Sequence, residues 1–220
     1  MSAFFVTSTG TDAGKTYVSE KLLCAWRSAG RPVHALKPLM SGYSESSLET
    51  SDAGRLLAAM GQPVNGETVS NICLHRHEPP LAPNVIMRQA GVHQDYPAIL
   101  SFVRHNLAWH AGKTVLIEGA GGVMSPVTDT RLHIDLMTDL GLPAILVTAP
   151  YLGAVSHTLS AISVLCARRV EIAALVISQL APDRSPPGSL ASEIRLFSDL
   201  PIFTVQHGQD CQRLIEHLGH

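Results

Sequence analysis

The stretch from Val6 to Thr16, which reads VTSTGTDAGKT, constrains the fold more than any other part of the chain. The apolar run just before it predicts a buried strand, and apolar residues at helical spacing after it predict a helix that reaches Ala29. A strand, a turn that ends Gly14-Lys15-Thr16, and a helix form the layout of a phosphate-binding loop. Backbone N–H groups and the helix dipole favour an anion at such a helix start. The stretch therefore predicts a nucleotide site, with Lys15 on the terminal phosphates and the Thr16 hydroxyl on Mg²⁺.

The residues of this motif do not establish a nucleotide site by themselves. The strict pattern has glycine at position 9, where this chain has Thr9, and a glycine follows as Gly10. The letters AGKT recur at 111–114, but that copy precedes an apolar strand at 115–118 and opens no helix. We interpret the second copy as a turn and the first as a nucleotide site, with an ordinary strand–helix turn as the alternative for the first.

Length and composition predict a packed globular protein. The chain has 220 residues, 45% hydrophobic and 15% charged, which predicts one α/β domain over residues 1–220. Its net charge of −2 argues against a nucleic-acid surface, which is usually basic. No apolar stretch reaches the ~18 residues of a membrane helix and no secretory segment opens the chain, so we expect a cytoplasmic protein without a membrane partner. The cysteines form no metal-binding pattern, and we expect Cys24 and Cys166 to be buried reduced thiols.

Apolar strands alternate with amphipathic helices along the rest of the chain. Strands are predicted at 33–36, 115–117, 144–147, 173–178 and 202–205, and helices at 53–60, 96–110, 134–140, 156–167, 190–197 and 211–218. The segments 44–50, 72–83 and 183–188 are predicted to be irregular, and 72–83 suits a loop that faces a substrate. The alternation predicts a single α/β domain with a mostly parallel sheet, helices on both faces and the layout of phosphate-loop NTPases.

Two charged residues stand where ligands bind in parallel sheets, and a third stands at the start of a predicted helix. Lys37 follows a strand and precedes Pro38, so it is expected just past the carboxyl end of that strand. Glu118 ends another apolar strand, and a carboxylate buried there needs a metal ion or a lysine as its partner. Asp52 fits a helix cap or a first-turn acid, and the alternative is a metal ligand.

Several separated motifs together resemble one family. They are T-x-T-x-A-G-K-T at Thr9–Thr16, K-P-x-x-S-G at Lys37–Gly42, S-D-A at Ser51–Ala53, E-P-x-x-A-P at Glu78–Pro83, E-G-A-G-G at Glu118–Gly122 and L-G-x-x-x-H at Leu152–His157. Their order and spacing resemble the dethiobiotin synthetase family, which belongs to the phosphate-loop superfamily that also contains the cobyrinate amidases. The blocks that begin at Lys37 and Glu118 carry the specificity of this match, whereas the letters GKT alone do not.

The resemblance implies an ATP- and Mg²⁺-dependent ligase that closes the ureido ring of dethiobiotin from 7,8-diaminononanoate and CO2. CO2 would form a carbamate on one amine, ATP would phosphorylate it to a carbamic-phosphoric anhydride, and the second amine would then close the ring. Charge builds on the carbamate and on the transferring phosphoryl group, so this chemistry needs fixed positive charge more than a base. The resemblance implies Lys15 and Lys37 as the catalytic residues that supply this charge.

The resemblance also implies which residues bind each component. Those implied for ATP are Asp12, Ala13, Gly14, Lys15, Thr16, Tyr17, Asp52, Glu118, Gly119, Ala120, Gly121, Ser178 and Gln179. Those implied for the substrate are Thr11, Ser41, Leu152 and Ser156, and the implied Mg²⁺ ligands are Thr16, Asp52 and Glu118. In the family the carboxylate tail of the substrate reaches the turn at 152–157 of a second subunit, so a homodimer is implied.

A few positions depart from the family pattern. Ser8 stands where the family usually has glycine, Ser156 where it commonly has asparagine, and Ser178 where it has the asparagine that reads adenine. A serine cannot make the paired donor–acceptor contact that an amide makes with adenine, so we predict looser selectivity among nucleotides. The alternatives to this assignment are another phosphate-loop ATP-dependent ligase and a phosphate-loop protein that binds a nucleotide without catalysis.

Overall fold

The computed structural model of the protein describes residues 2–92, 95–179, 187–206 and 211–219. The strands are β1 (Ala3–Ser8), β2 (Val33–Leu36), β3 (Leu39–Ser41), β4 (His75–His77), β5 (Thr114–Glu118), β6 (Ala144–Thr148), β7 (Ile172–Gln179) and β8 (Ile202–Gln206). The main sheet has six strands in the order β2-β5-β1-β6-β7-β8, and β3 and β4 form a separate pair. The predicted parallel sheet is therefore confirmed, with its strand ends within two residues of the predicted ones.

The pairing of these strands brings three chain segments together at one edge. All pairings within the two described sheets are parallel, so the carboxyl ends of the main strands share one edge. The central strand β1 lies between β5 and β6, with Val6 opposite Glu118. At the end of β2, Leu36 lies opposite Ile117. The residues that follow β1, β2 and β5 are thus neighbours at the edge where open parallel sheets bind ligands.

The helices enclose the main sheet. They are α1 (Lys15–Ser28), α2 (Asp52–Ala59), α3 (Gly66–Ile72), α4 (Pro83–Gln89), α5 (Tyr96–Trp109), α6 (His133–Leu140), α7 (Ala154–Ala167), α8 (Pro187–Arg195) and α9 (Gln212–His217), with a 3-10 helix at Glu45–Thr50. The step from β1 to β2 runs in one direction across the sheet, and the step from β6 to β7 runs in the other. Because parallel crossovers are right-handed, α1 and α7 lie on opposite faces.

The core forms where apolar strands meet apolar helix faces. All five residues of β6 are buried, as a strand covered on both faces requires. Helix α1 buries Val18, Leu22 and Trp26, the residues whose spacing predicted it. Trp26 stacks on Phe4 of β1, with ring centroids 6.2 Å apart. This stack joins the end of α1 to the start of β1, so the helix lies along the strand and the Gly14 turn connects their other ends.

Several short elements lie in segments that were predicted to be irregular or for which no helix or strand was predicted. The segment 44–50, predicted to be irregular, contains the 3-10 helix, and 72–83 contains β4. Helices α3 and α4 have 7 residues each, too few to show a helical period. Strands β3 and β4 have 3 residues each and exist through their pairing, with Leu39 opposite His75. The β3–β4 pair therefore follows from tertiary contacts, whereas α3 also has a local signal, the capping box of Asn65 and Thr68.

Other predictions have mixed outcomes. Cys24 and Cys166 are exposed, contrary to the prediction, because their positions on α1 and α7 face away from the sheet; all four cysteines are free thiols. The second AGKT copy is a turn, as predicted, since Gly112 has φ +98° and β5 begins two residues later. The loop expected at 183–188 lies mostly outside the described residues, and α8 already begins at Pro187. Within the described segments, none of the helices is both long and apolar enough to cross a bilayer.

Candidate active site at the carboxyl edge of the sheet

The turn between β1 and α1 has the backbone of an anion-binding loop. Gly14 precedes the first helical residue with φ 90° and ψ 24°, a left-handed conformation that glycine adopts without strain. Asp12 also has a positive φ, of 56°, which is uncommon for a residue with a side chain. Lys15 and Thr16 open α1, so the free N–H groups of its first turn face the site.

Ser8 ties this loop to its neighbours. It is fully buried, and its hydroxyl donates to the carbonyl of Gly10 at 2.6 Å and lies 3.2 Å from the carbonyl of Gly121. The Lys15 ammonium donates to Ser8 Oγ at 3.0 Å. The serine therefore fits the loop and supplies an oxygen to Lys15, which glycine at this position would lack.

A second cation and two carboxylates meet next to Thr16. Lys37 Nζ lies 2.7 Å from Glu118 Oε1 and 2.8 Å from Asp52 Oδ2. The Thr16 hydroxyl lies within donating distance of both carboxylates, at 2.9 Å from Asp52 Oδ1 and 2.8 Å from Glu118 Oε1. Lys37 and Glu118 are almost completely buried, whereas the Asp52 side chain is 37% exposed. The lysine is thus the partner that burial of Glu118 was expected to require.

The position of Asp52 resolves the choice between a cap and a site residue. Ser51 is the N-cap of α2, because its side chain accepts from the Gly54 N–H at 3.1 Å. Asp52 is the first helical residue, and its carboxylate points at Lys37 and Thr16. The cap prediction for Asp52 is wrong, since the preceding serine satisfies the helix start, whereas the alternative of a first-turn acid is confirmed.

Burial and charge shift the pKa values of this cluster in opposite directions. Burial, with a smaller contribution from the nearby charge of Lys37, lowers the pKa of Lys15 to about 8. Burial alone would also lower the pKa of Lys37, but the charges of Glu118 and Asp52 and their hydrogen bonds raise it above its usual value. Burial opposes ionisation of Asp52, yet Lys37 and Thr16 hold the pKa of its carboxyl below the usual value. Lys37 therefore stays charged, and Lys15 is the cation that gains most from an anion.

These groups open into one cavity of about 640 Å³. The predicted site residues that line it are Thr11, Asp12, Gly14, Lys15, Thr16, Tyr17, Lys37, Ser41, Asp52, Ala120 and Gly121. Lining residues that were not predicted individually are Arg55, Pro80, Leu81, Ala82, Pro83, Ser125 and Pro126. Arg55 could have been found, because it lies three residues after Asp52 and so on the same helix face. Ser125 and Pro126 follow the glycine block without a signal of their own.

The remaining predicted residues do not line this cavity. They are Ala13, Glu118, Gly119, Leu152, Ser156, Ser178 and Gln179. Glu118 lies directly behind the wall and contacts Lys37 and Thr16. Ser178 is fully buried near the end of β7, and its Oγ has no hydrogen-bond partner within the described parts of the chain. Their assigned parts in binding ATP or substrate stay predictions.

A buried histidine supports the glycine loop after β5. His133 Nε2 accepts from the Ala120 N–H at 3.0 Å, so this nitrogen carries no proton, and Nδ1 must donate to the carbonyl of Ser125 at 2.9 Å. Burial lowers the pKa of His133 to about 4, which keeps the ring neutral. A Cβ at Gly119 would lie 3.0 Å from both this ring and Phe5. Close packing therefore requires glycine at this position and fixes the floor of the cavity.

The small β3–β4 sheet explains why two sequence blocks face the same cavity. It carries the Lys37–Gly42 block beside the Glu78–Pro83 block, with the Gly42 N–H bonded to the carbonyl of Pro79 at 3.3 Å. Ser41 lines the cavity, and its buried hydroxyl has no partner within the described residues. A buried polar atom of this kind is available to a ligand.

The turn after β6 lies beside the phosphate loop. Tyr151 Oη lies 2.9 Å from His157 Nδ1 and 3.5 Å from Thr9 Oγ1. Leu152 is completely exposed. Since this turn is outside the cavity of this chain, Leu152 and Ser156 could reach only a ligand that extends past the rim.

Comparisons with solved structures agree with this fold. A chain from the crystal structure of hydrogenase maturation factor HypB from Archaeoglobus fulgidus has a TM-score of 0.59 and 15% identity, and the match covers 100% of this chain and 89% of that one. A chain of the MinC:MinD cell division protein complex from Aquifex aeolicus has a TM-score of 0.54 and 10% identity, with 99% and 85% covered. At these identities the likeness shows the fold alone, a phosphate-loop NTPase fold.

Sequence comparisons are more specific. A protein-family model described as an AAA domain matches residues 2–211. The ATP-dependent dethiobiotin synthetase BioD of Phenylobacterium zucineum (strain HLK1) is 46% identical over 186 residues, which are 84% of this chain and 80% of the relative. The protein of the same name from Caulobacter sp. (strain K31) is 39% identical over 223 residues, 99% of this chain and 94% of that relative. The resemblance inferred from the motifs is confirmed, and the chain belongs to the dethiobiotin synthetase family.

Proposed function

We propose that this chain closes the ureido ring of dethiobiotin from 7,8-diaminononanoate and CO2 at the expense of ATP. As a dethiobiotin synthetase it is an ATP-dependent ligase of biotin biosynthesis. The observation that carries the detailed proposal is the convergence of Lys15, Lys37, Thr16 and Asp52 at one cavity, with Glu118 directly behind its wall. Two ammonium groups and three oxygen donors are the set that binding and transfer of a phosphoryl group require.

The chemistry proceeds in three balanced steps. One amine of the substrate attacks CO2 and loses a proton, which gives a carbamate. A carbamate oxygen attacks the terminal phosphorus of ATP, the phosphoryl group is transferred to that oxygen, and ADP leaves. The second amine attacks the carbonyl carbon and loses a proton to the departing phosphate or to solvent, the ring closes, and phosphate departs with the former carbamate oxygen. Each step moves negative charge near the phosphates, so fixed cations lower the barrier more than a base would.

Lys37 and Lys15 supply this charge from two sides. Lys37 is buried, charged and held by two carboxylates, so it is already oriented before substrate arrives. Lys15 lies at the start of α1, where the loop backbone at 12–17 would enclose the phosphates. Thr11 and Ser41 line the same cavity and would hydrogen-bond the carbamate or the amines. The site needs no catalytic base among its own side chains.

The residues present fit Mg²⁺ as the cofactor. Thr16, Asp52 and Glu118 contribute hydroxyl and carboxylate oxygens, the donors that this hard cation prefers. Glu118 Oε2 is buried and has no hydrogen-bond partner within the described residues, which leaves it available to a cation. The described part of the chain holds no cluster of three or more His, Cys, Asp or Glu side chains suited to a metal. Phosphate and water oxygens would therefore complete the coordination shell of Mg²⁺. When bound, Mg²⁺ would neutralise charge on the phosphates.

A homodimer would complete the substrate site. The cavity of one chain does not include Leu152 and Ser156, which the family assigns to the substrate tail. Leu152 is fully exposed, and Tyr151 and Met124 on neighbouring loops are 41% and 52% exposed. Such apolar side chains at the rim are suited to contact a second copy.

The four free cysteines suit a cytoplasmic enzyme, because that compartment keeps thiols reduced.

A direct assay tests this function. Purified protein is incubated with diaminononanoate, bicarbonate and MgATP, and dethiobiotin is detected by mass spectrometry together with released phosphate. We expect one dethiobiotin for each ATP consumed, and loss of product with Lys37→Ala although that variant still binds ATP. Folded protein that binds ATP but forms no dethiobiotin under any condition would contradict the proposal and favour a binding protein without catalysis.

A further inference from the structure

Two pairs of side chains connect α1 and α2 one helical turn apart. The first pair is Thr16 and Asp52, whose Oγ1 and Oδ1 atoms are 2.9 Å apart. The second is Glu20 and Arg55: Arg55 Nε donates to Glu20 Oε1 at 2.9 Å, and its Nη2 contacts Glu20 Oε2. Residues three or four apart lie on the same face of a helix. The two pairs therefore form a ladder between the helices, and its first rung lies in the candidate active site.

The Glu20–Arg55 pair has the geometry of an oriented contact and not of a loose surface pair. Both carboxylate oxygens meet separate nitrogens of the planar guanidinium, so distance and angle are fixed together. The side chains are only 37% and 25% exposed for Arg55 and Glu20. A two-point contact of this kind restricts sliding and rotation of α2 along α1, which apolar packing alone restricts less.

The other local contacts of α2 do not fix its position along α1 at the end next to the phosphate loop. Ser51 caps the helix, and Gly54 packs so tightly that an added Cβ would lie 1.9 Å from the carbonyl of Leu48. Both contacts face the preceding 3-10 helix and not α1. At the far end of α2, Arg27 of α1 donates to the carbonyl of Ala59 at 3.1 Å. Near the phosphate loop, the other side-chain link to α1 is the Thr16–Asp52 contact, which would be exchanged when a cation binds these oxygens.

We infer that Glu20 and Arg55 are positioning residues that hold Asp52 at the correct distance from Thr16 for a divalent cation. This inference rests on the proposed function, because it takes Thr16 and Asp52 as ligands of the cation that accompanies the nucleotide. Arg55 acts through α2 and keeps both of its bonded nitrogens on Glu20. Groups that support a metal ligand from outside its shell commonly change metal affinity about 10- to 100-fold when they are removed.

The test separates positioning from direct contact with phosphate. The variants are Arg55→Met, Glu20→Gln and the charge swap E20R/R55E, and the control is Arg168→Met, which removes the ion pair between α7 and Asp135 of α6. The affinity of Mn²⁺ for each protein with bound ATP is measured by electron paramagnetic resonance, and ATP affinity is measured without metal. This readout needs no turnover, so it remains valid if the ligase assay fails.

We expect Arg55→Met and Glu20→Gln to weaken Mn²⁺ binding about 10-fold, to leave metal-free ATP binding unchanged, and to raise the KM for Mg²⁺ more than they lower kcat. The charge swap should restore Mn²⁺ affinity, and Arg168→Met should change nothing. Two results would overturn the inference. One is unchanged Mn²⁺ affinity in folded Arg55→Met. The other is a loss of metal-free ATP binding in Arg55→Met and in the swap while Glu20→Gln stays normal, which would place Arg55 on the phosphates.

Discussion

At the scale of single residues, Lys37 determines the electrostatics of the site. It is the only lysine or arginine in contact with Glu118 among the ion pairs of the described residues. Two buried unlike charges stabilise each other only while both are present, because each alone would be costly in a low-dielectric interior. In the proposed mechanism the same ammonium would also meet developing charge on the substrate, so stability and catalysis would depend on one group.

Removal of this lysine should therefore reduce both properties. We expect Lys37→Ala to lower the free energy of unfolding by about 3 kcal/mol, because Glu118 stays buried without its partner. Dethiobiotin formation should fall by about 10²-fold or more, since a fixed charge at the transferring group is lost. Urea unfolding and the product assay measure the two effects. The double variant K37Q/E118Q should recover stability but not activity, and unchanged stability in Lys37→Ala would show that the pair does not stabilise the fold.

Ser178 leads to a prediction about the base of the nucleotide. Its side chain is fully buried, and a hydroxyl cannot pair with adenine as an amide does. Sites that hydrogen-bond a distinguishing group commonly discriminate about 10⁴-fold, whereas sites that lack such contacts discriminate far less. We expect kcat/KM for ATP, GTP and CTP to lie within about tenfold of one another. Competition assays with the three nucleotides measure this, and a strong preference for ATP would show that other groups read the base.

At the scale of elements, the main strands and most helices could be predicted, including the short β2 and α9, whereas α3, α4, β3 and β4 could not. The six strands of the main sheet and helices such as α1 and α5 carry a strong apolar period, which fixes their type. The pair β3–β4 has no such period, because its strands form by contact with each other. The site follows the same division. Lys37 and Glu118 could be placed from the strands they follow and Arg55 from its spacing to Asp52, whereas the contact of Arg55 with Glu20 arises only when α2 packs on α1.

The edge strand β2 carries a pH-sensitive contact with the end of α5. His34 stacks on His110 with ring centroids 3.5 Å apart, and Lys113 lies nearby. Burial, together with the charges that His110 and Lys113 would place beside it, lowers the pKa of His34 from 6.5 to about 3. Burial also lowers the pKa of His110. Because the unfolded chain binds protons more readily, this contribution to stability is complete above pH 6.5 and is lost as the pH falls below that value.

Replacement of His34 by phenylalanine should remove this pH dependence of stability and keep a ring stacked on His110. Between about pH 7 and pH 5, we expect the wild type to lose about 1–2 kcal/mol more unfolding free energy than His34→Phe. Urea unfolding at a series of pH values measures how the unfolding free energy of each protein depends on pH. Contributions of His133 and other groups present in both proteins cancel in the difference. Equal slopes would show that the stacked pair does not couple protonation to folding.

At the scale of the whole molecule, several exposed apolar side chains lie near the carboxyl edge of the sheet, while others, such as Trp109, Leu196 and Phe197, lie elsewhere. Leu81 lines the cavity and is 45% exposed, while Met124, Tyr151 and Leu152 follow β5 and β6 at the carboxyl edge. Single exposed apolar residues are common, but a group of them around a ligand cavity indicates a contact surface. A second copy seated there would cover Leu152 and bring the turn at 152–157 to the substrate of its partner. Assembly and substrate binding would then depend on the same residues.

A charge at Leu152 should therefore disrupt both assembly and substrate binding. We expect Leu152→Asp to shift the protein from dimer to monomer in sedimentation velocity, because a buried unpaired carboxylate is costly at an interface. The KM for diaminononanoate should rise about tenfold or more while metal-free ATP affinity stays the same, since the cavity that contains Lys15 is built within one chain. The control is Trp109→Ser, which removes another side chain that is 77% exposed, at the end of α5, and should leave the dimer intact. A monomeric wild type, or a Leu152→Asp variant with unchanged mass and KM, would show that each chain binds its substrate alone.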